Sequence, residues 1–96
     1  MNLNQLIMLA ILRENDNTFF DCVKYVKEKI GLGVMTDTQV YAELENLERL
    51  NWISSYDRMV ENQKKTFYML TDVGGRVYHD ELRKWKKIEV WLETIK

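Results

Sequence analysis

The side chains of this 96-residue chain that could do chemistry are few and poorly spaced for catalysis. One histidine, His79, and one cysteine, Cys22, have no second ligand at metal-binding spacing and no partner for a nucleophilic pair. The "GLGV" segment at Gly31–Val34 is too short for a phosphate loop and follows a helix rather than a strand. His79 is read as a surface or packed histidine and Cys22 as a small buried hydrophobe. No catalytic constellation emerges, so neither an enzyme nor a cofactor is expected.

What remains is the chemistry of recognition. Gln39 could bond an adenine edge with both ends of its amide, Thr38 offers a hydroxyl and a methyl, and Asp37 could accept from a cytosine amine. Thr36 and Tyr41 stand within reach of phosphate, as do Arg58, Lys64 and Lys65 further along and Lys24 and Lys27 before them. Each has a plainer reading. Gln39 would complete a capping box, Asp37 would favour a helix dipole, and a lysine usually belongs to a solvated charged face. The charge also raises an objection, because Thr36–Trp52 sets Asp37, Glu43, Glu45 and Glu48 against Arg49 alone. A recognition helix contacts bases with its N-terminal residues. Glu45 and Glu48 would therefore lie where the helix leaves the groove, and Glu43 has no assigned place.

Stepwise along the chain, the elements that must position these residues are mostly helical. Leu3–Asn15 is apolar all round from Leu6 to Leu12, so it needs cover on more than one side, from a long terminal helix or a second subunit. Thr18–Ile30 repeats Phe19, Val23, Val26 and Ile30 at helical spacing and stops at the glycines of Gly31–Gly33. Thr36 caps a third helix with the stripe Val40, Leu44, Leu47, Leu50. Two strands follow, 53–60 and 64–70, turned by Glu61–Gln63. A final helix, 75–95, carries Tyr78, Leu82, Trp85, Ile88, Trp91, Leu92 and Ile95, more apolar surface than one small domain needs. Trp52 is expected where the third helix meets the hairpin, and Phe19 and Phe20 in the core.

Composition adds bounds. The length suits one domain, and a single cysteine suits a reducing, cytoplasmic setting. The longest apolar run is Leu6–Leu12, so no membrane partner is expected. The net charge of −1 is silent on nucleic acid; only its placement speaks.

"QVYAELENLERLNWI" followed by a hairpin and "KKTFYMLTDVGGRVY" resembles the PadR-like transcriptional regulators. Tyr41, Leu44, Leu47 and Glu48 fill the family's recognition-helix pattern, and Lys64, Lys65, Tyr68, Leu70, Thr71 and Gly74 its wing-strand pattern. The match covers Thr36–Val77. "TFF" at Thr18–Phe20 replaces the family's His–Gly–Tyr, and Asn51 stands where a glycine is usual. The resemblance implies a homodimer on a palindromic site, with repression as the usual outcome. In members with a single C-terminal helix, it also implies a dimer centre able to take a flat hydrophobic ligand.

The expected fold is mainly α with a small antiparallel β-hairpin: a winged helix-turn-helix over residues 1–74 and a dimerisation helix over 75–96, packed with helix 3–15 as one structural unit. The expected DNA-binding residues are Thr36, Thr38, Gln39, Tyr41, Arg58, Lys64 and Lys65. Dimerisation, or binding of a small hydrophobic ligand, falls to Leu6, Leu9, Leu82, Trp85, Ile88, Trp91, Leu92 and Ile95. Trp85 and Trp91 read first as interface core and second as a ligand-stacking pair. The expected activity is that of a repressor on an inverted repeat of double-stranded DNA. The alternatives are a plasmid or phage partition adaptor and a winged-helix protein-interaction module.

Overall fold

The computed structural model describes residues 1–95; residue 96, the last of the expected C-terminal unit, lies outside them. Helix α1 is Leu3–Glu14, opened by Asn2 in a capping box with Gln5. A two-residue strand β1, Asn17–Thr18, leads into α2, Phe19–Tyr25, whose cap is the Thr18 hydroxyl accepting from the Asp21 amide. The helix then widens into a π-turn, Val26–Ile30, closed by the Gly31 amide donating to the Val26 carbonyl at 2.8 Å. Helix α3 is Asp37–Arg49, strands β2 and β3 are Ile53–Val60 and Gln63–Leu70, and α4 is Asp72–Thr94.

The strands form one antiparallel sheet in the order β1-β3-β2. Strand β1 has no counterpart among the expected elements, where one helix ends within Arg13–Asn17 and the next begins at Thr18. Its register, Asn17 opposite Tyr68 and Thr18 opposite Phe67, ties the start of α2 directly to the hairpin. The hairpin turn is also tighter than expected. Gln63 pairs with Val60, leaving Glu61 and Asn62 as a two-residue loop with φ of 51° and 67°, the positive pair that a right-twisted hairpin favours.

Helix α4 starts at Asp72 rather than at 75, so the expected division after residue 74 falls inside it. Thr71 is the reason. Its hydroxyl accepts from the Gly74 amide and donates to the Asn51 and Trp52 carbonyls, capping the helix and fastening it to the hairpin together. Gly74 is required there by contact. A Cβ at this position would lie 1.9 Å from the Trp52 carbonyl oxygen.

The core is built from Met8, Leu9, Ile11 and Leu12 of α1, Cys22, Val26, Met35, the α3 stripe Val40, Leu44 and Leu47, and Ile53. Trp52 packs against it at the junction of α3 with β2, as expected. The all-apolar α1 is thus covered mainly within one chain. Leu9 is wholly buried there and has no surface to offer a second subunit, which removes it from the expected interface set. Leu6 and Leu82 are half-buried, whereas Trp85, Ile88, Trp91, Leu92 and Ile95 are exposed along α4. Among the described residues, no helix is long and apolar enough to cross a membrane.

Candidate nucleic-acid interface

The first turn of α3 is solvent-exposed from Thr36 to Gln39. Its capping box is complete: the Gln39 amide donates to the Thr36 hydroxyl at 3.1 Å, and the Thr36 amide donates to Gln39 Oε1 at 2.9 Å. The cap engages the carbonyl end of Gln39. Its NH₂ end is left to donate, and Thr38 is exposed beside it. Asp37 pairs with Lys27 at 3.3 Å, so each is partly neutralised by the other. Lys27 is therefore a weaker phosphate ligand than the sequence suggested.

The acidity of α3 resolves residue by residue. Glu48 accepts the Ser55 hydroxyl at 2.6 Å, stitching the helix to β2. Glu45 holds the Tyr41 phenol, raising its pKa through a hydrogen bond and its charge. Arg49 bonds Asn46 along the helix. Glu43 alone is without such a role, half-buried with Oε1 lacking a hydrogen-bond partner. Tyr41 is half-exposed and meets Phe19 edge-on at 5.8 Å, and Phe19 meets Phe20 at 5.3 Å. Phe20 itself is 78% exposed, a correction to its expected place in the core. Tyr41 is thus anchored by a ring and a carboxylate at once.

Across from these rings lies the hairpin. A cleft of about 440 Å³ separates the start of α2 from β3, lined by Phe19, Phe20, Lys64, Lys65 and Tyr68 among others. Lys64 and Lys65, adjacent in sequence, stand on opposite faces of the strand. Lys64 pairs with Asp57 at 3.2 Å, and Thr66 donates to the same carboxylate at 2.8 Å. These two contacts, the hydroxyl first, hold Asp57 below the usual carboxylate range. Lys65 lies directly opposite Arg58. The Arg58 guanidinium sits over the Phe67 ring at 4.3 Å.

Of the remaining candidates, Cys22 is a buried packing group and His79 lies at the surface. Burial pushes the Cys22 thiol up to about 12, aided by Asp21. His79 is exposed, edge-on to Tyr78 at 5.6 Å. Among the described residues, no group of three or more His, Cys, Asp or Glu is placed to hold a metal ion.

Residues 8–80 match the family model described as the transcriptional regulator PadR-like family. The chain belongs to that family. No match was found among curated proteins. Among solved structures, a PadR family transcription regulator from Clostridium difficile superimposes with a TM-score of 0.88 at 20% identity, covering 98% of both chains. A transcriptional regulator from Clostridium thermocellum gives 0.78 at 25% identity, covering 96% of this chain and 90% of its own. Bacillus subtilis PadR, solved in complex with operator DNA, gives 0.76 at 28% identity over 85% of this chain and 48% of its own. This PadR-like chain thus spans about half the length of the Bacillus protein. The first of these likenesses speaks for the winged-helix fold alone.

Proposed function

We propose that this PadR-like chain is a homodimeric repressor that binds an inverted repeat in double-stranded DNA. The observation that carries the reading is the exposed, fully capped first turn of α3, standing beside a two-stranded wing that presents Arg58 and Lys65. A helix N-terminus of this kind offers Thr38 and the free end of Gln39 to base edges, while the wing meets phosphates alongside. The Bacillus relative bound to operator DNA supports the same assignment. Thr36 serves the cap and can also reach a phosphate. Tyr41, held by Phe19 and Glu45, can do so only through its outer edge.

Dimerisation follows from α4. Trp85, Ile88, Trp91, Leu92 and Ile95 are between 41% and 58% exposed along one long helix, a stripe that water alone would not select. Leu82, and Leu6 on α1, border it. A dimer sealed there doubles the few cations that each subunit brings to DNA. Trp85 and Trp91 form the core of that interface, or flank a flat hydrophobic ligand bound within it.

Selection of genomic fragments by the purified protein, at low and at physiological salt, tests the reading. Enrichment of a short inverted repeat upstream of regulated genes is the expected result. Clustered repeats beside a partition operon would make the protein a partition adaptor instead. No enrichment at either salt would sink the DNA-binding assignment and turn attention to a protein partner for α3.

A further inference from the structure

We propose that the wing's phosphate clamp is the cross-strand pair Arg58 and Lys65 rather than the tandem Lys64–Lys65, with Lys64 held out of it by Asp57. Phe67 is then the positioning residue that sets Arg58. The inference rests on the DNA-binding reading and sharpens it to individual side chains.

The register decides the geometry. Arg58 faces Lys65 and Met59 faces Lys64, so the two lysines project from opposite sides of the hairpin. On one side the charges cancel. Lys64 Nζ lies 3.2 Å from Asp57, which also accepts from Thr66. On the other side two cations oppose each other directly, an arrangement that destabilises a ladder by itself. Among the described residues, no carboxylate in a salt bridge with either cation relieves it. A phosphodiester between the two would.

Arg58 is moreover preset for that task. Its guanidinium lies over Phe67, which is 8% exposed and stacked on Tyr56 at 5.7 Å and 14°. The Tyr56 hydroxyl donates to Asp16 at 2.7 Å, anchoring the stack to the loop between α1 and β1. Stacking fixes the plane of the guanidinium and leaves its N–H edge outward, the fork that suits two phosphate oxygens. A lysine there would keep the charge and lose the fork.

The test is a salt titration of the full chain on its selected genomic fragment. Lys65→Thr is expected to lower the slope of log affinity against log salt by about 0.9 for each subunit bound. The double variant Asp57→Asn with Lys64→Ala removes a neutral pair and is expected to keep the wild-type slope. Arg58→Lys should weaken binding several-fold while leaving the slope in place. Lys65→Thr should also raise the melting temperature, since it removes like-charge repulsion, so that stability and affinity move in opposite directions. Phe67→Leu should weaken binding in the wild-type background and add nothing once Arg58 is alanine. A double variant that loses as much slope as Lys65→Thr would overturn the proposal, as would a Lys65→Thr protein with unchanged slope. Failure of the wild type to bind any fragment would instead remove the DNA-binding reading itself, and this proposal with it.

Discussion

In the proposed reading, Gln39 serves structure and recognition with opposite ends of one side chain. Its carbonyl oxygen closes the capping box and its NH₂ group remains to donate. Gln39→Glu separates the two roles, because a carboxylate can still accept from the Thr36 amide while losing the donor and adding charge. Stability to urea should stay within about 0.5 kcal/mol of wild type, whereas binding to the selected fragment should be lost. Large destabilisation with binding retained would reverse the assignment. Cys22 makes a different case. Its thiol is raised from 9.0 to about 12 in the folded chain. Below pH 9 it is protonated folded or unfolded and contributes no pH dependence. Between 9 and 12 the unfolded thiol ionises and the folded one does not, so stability falls as pH rises through that window. Tyr41, Tyr56 and Tyr68, also raised, push the same way. Comparison of thermal midpoints between pH 8 and 11 should therefore show a shallower decline for Cys22→Ala than for wild type. The capping box was legible in four letters, "TDTQ", because its bonds are local. The Lys27–Asp37 and Asp57–Lys64 pairs were not, because they depend on which elements meet and on a turn length that the letters "ENQ" leave open by one residue.

Among the elements, α4 and the hairpin are joined through the backbone as well as through the Thr71 hydroxyl. Trp52, Thr71 and Gly74 meet at one point, where the Thr71 amide donates to the Trp52 carbonyl at 3.1 Å and Gly74 packs on the same group. A Cβ there meets a carbonyl that has no rotamer to change. Gly74→Ala should cost roughly 1–3 kcal/mol, seen as a lower midpoint in chemical denaturation, although alanine is the better helix former. Gly75→Ala, whose added Cβ meets only a Leu70 methyl at 3.8 Å, should be neutral or stabilising. The same contact is why the helix starts before the expected residue 75. The expected start at 75 leaves Gly74 outside the helix, yet both glycines occupy its first turn because the helix must touch the sheet. Strand β1 escaped for a related reason: two residues carry no period, and their pairing with Tyr68 and Phe67 is set by tertiary contact.

Viewed whole, the molecule measures 55 × 30 × 20 Å, a compact head from which α4 extends. The head was largely legible from its apolar periods, since each stripe has one face to bury. The proposed partner of α4 is legible only as a surplus of apolar residues, and the structure leaves that surplus exposed. Trp85→Glu combined with Trp91→Glu should give a monomer by sedimentation equilibrium with a folded head, and its affinity for the two half-sites should collapse together. A dimer that persisted would place the interface elsewhere.

The continuity of α4 has a mechanical consequence. From Asp72 to Thr94 it is an unbroken shaft, keyed to the head at Gly74 and bearing the proposed seam from Leu82 onward. Each residue inserted between the key and the seam turns one against the other by about 100°. A single alanine inserted after Asp80, beyond Tyr78 where α4 packs on the core, should therefore aim the reading heads away from their half-sites while leaving that packing in place. Seven inserted residues, nearly two whole turns, should restore the aim and move each head by about 10 Å along the shaft. Selection from a library of variable half-site spacings would read that displacement directly, with α4 acting as both gear and ruler.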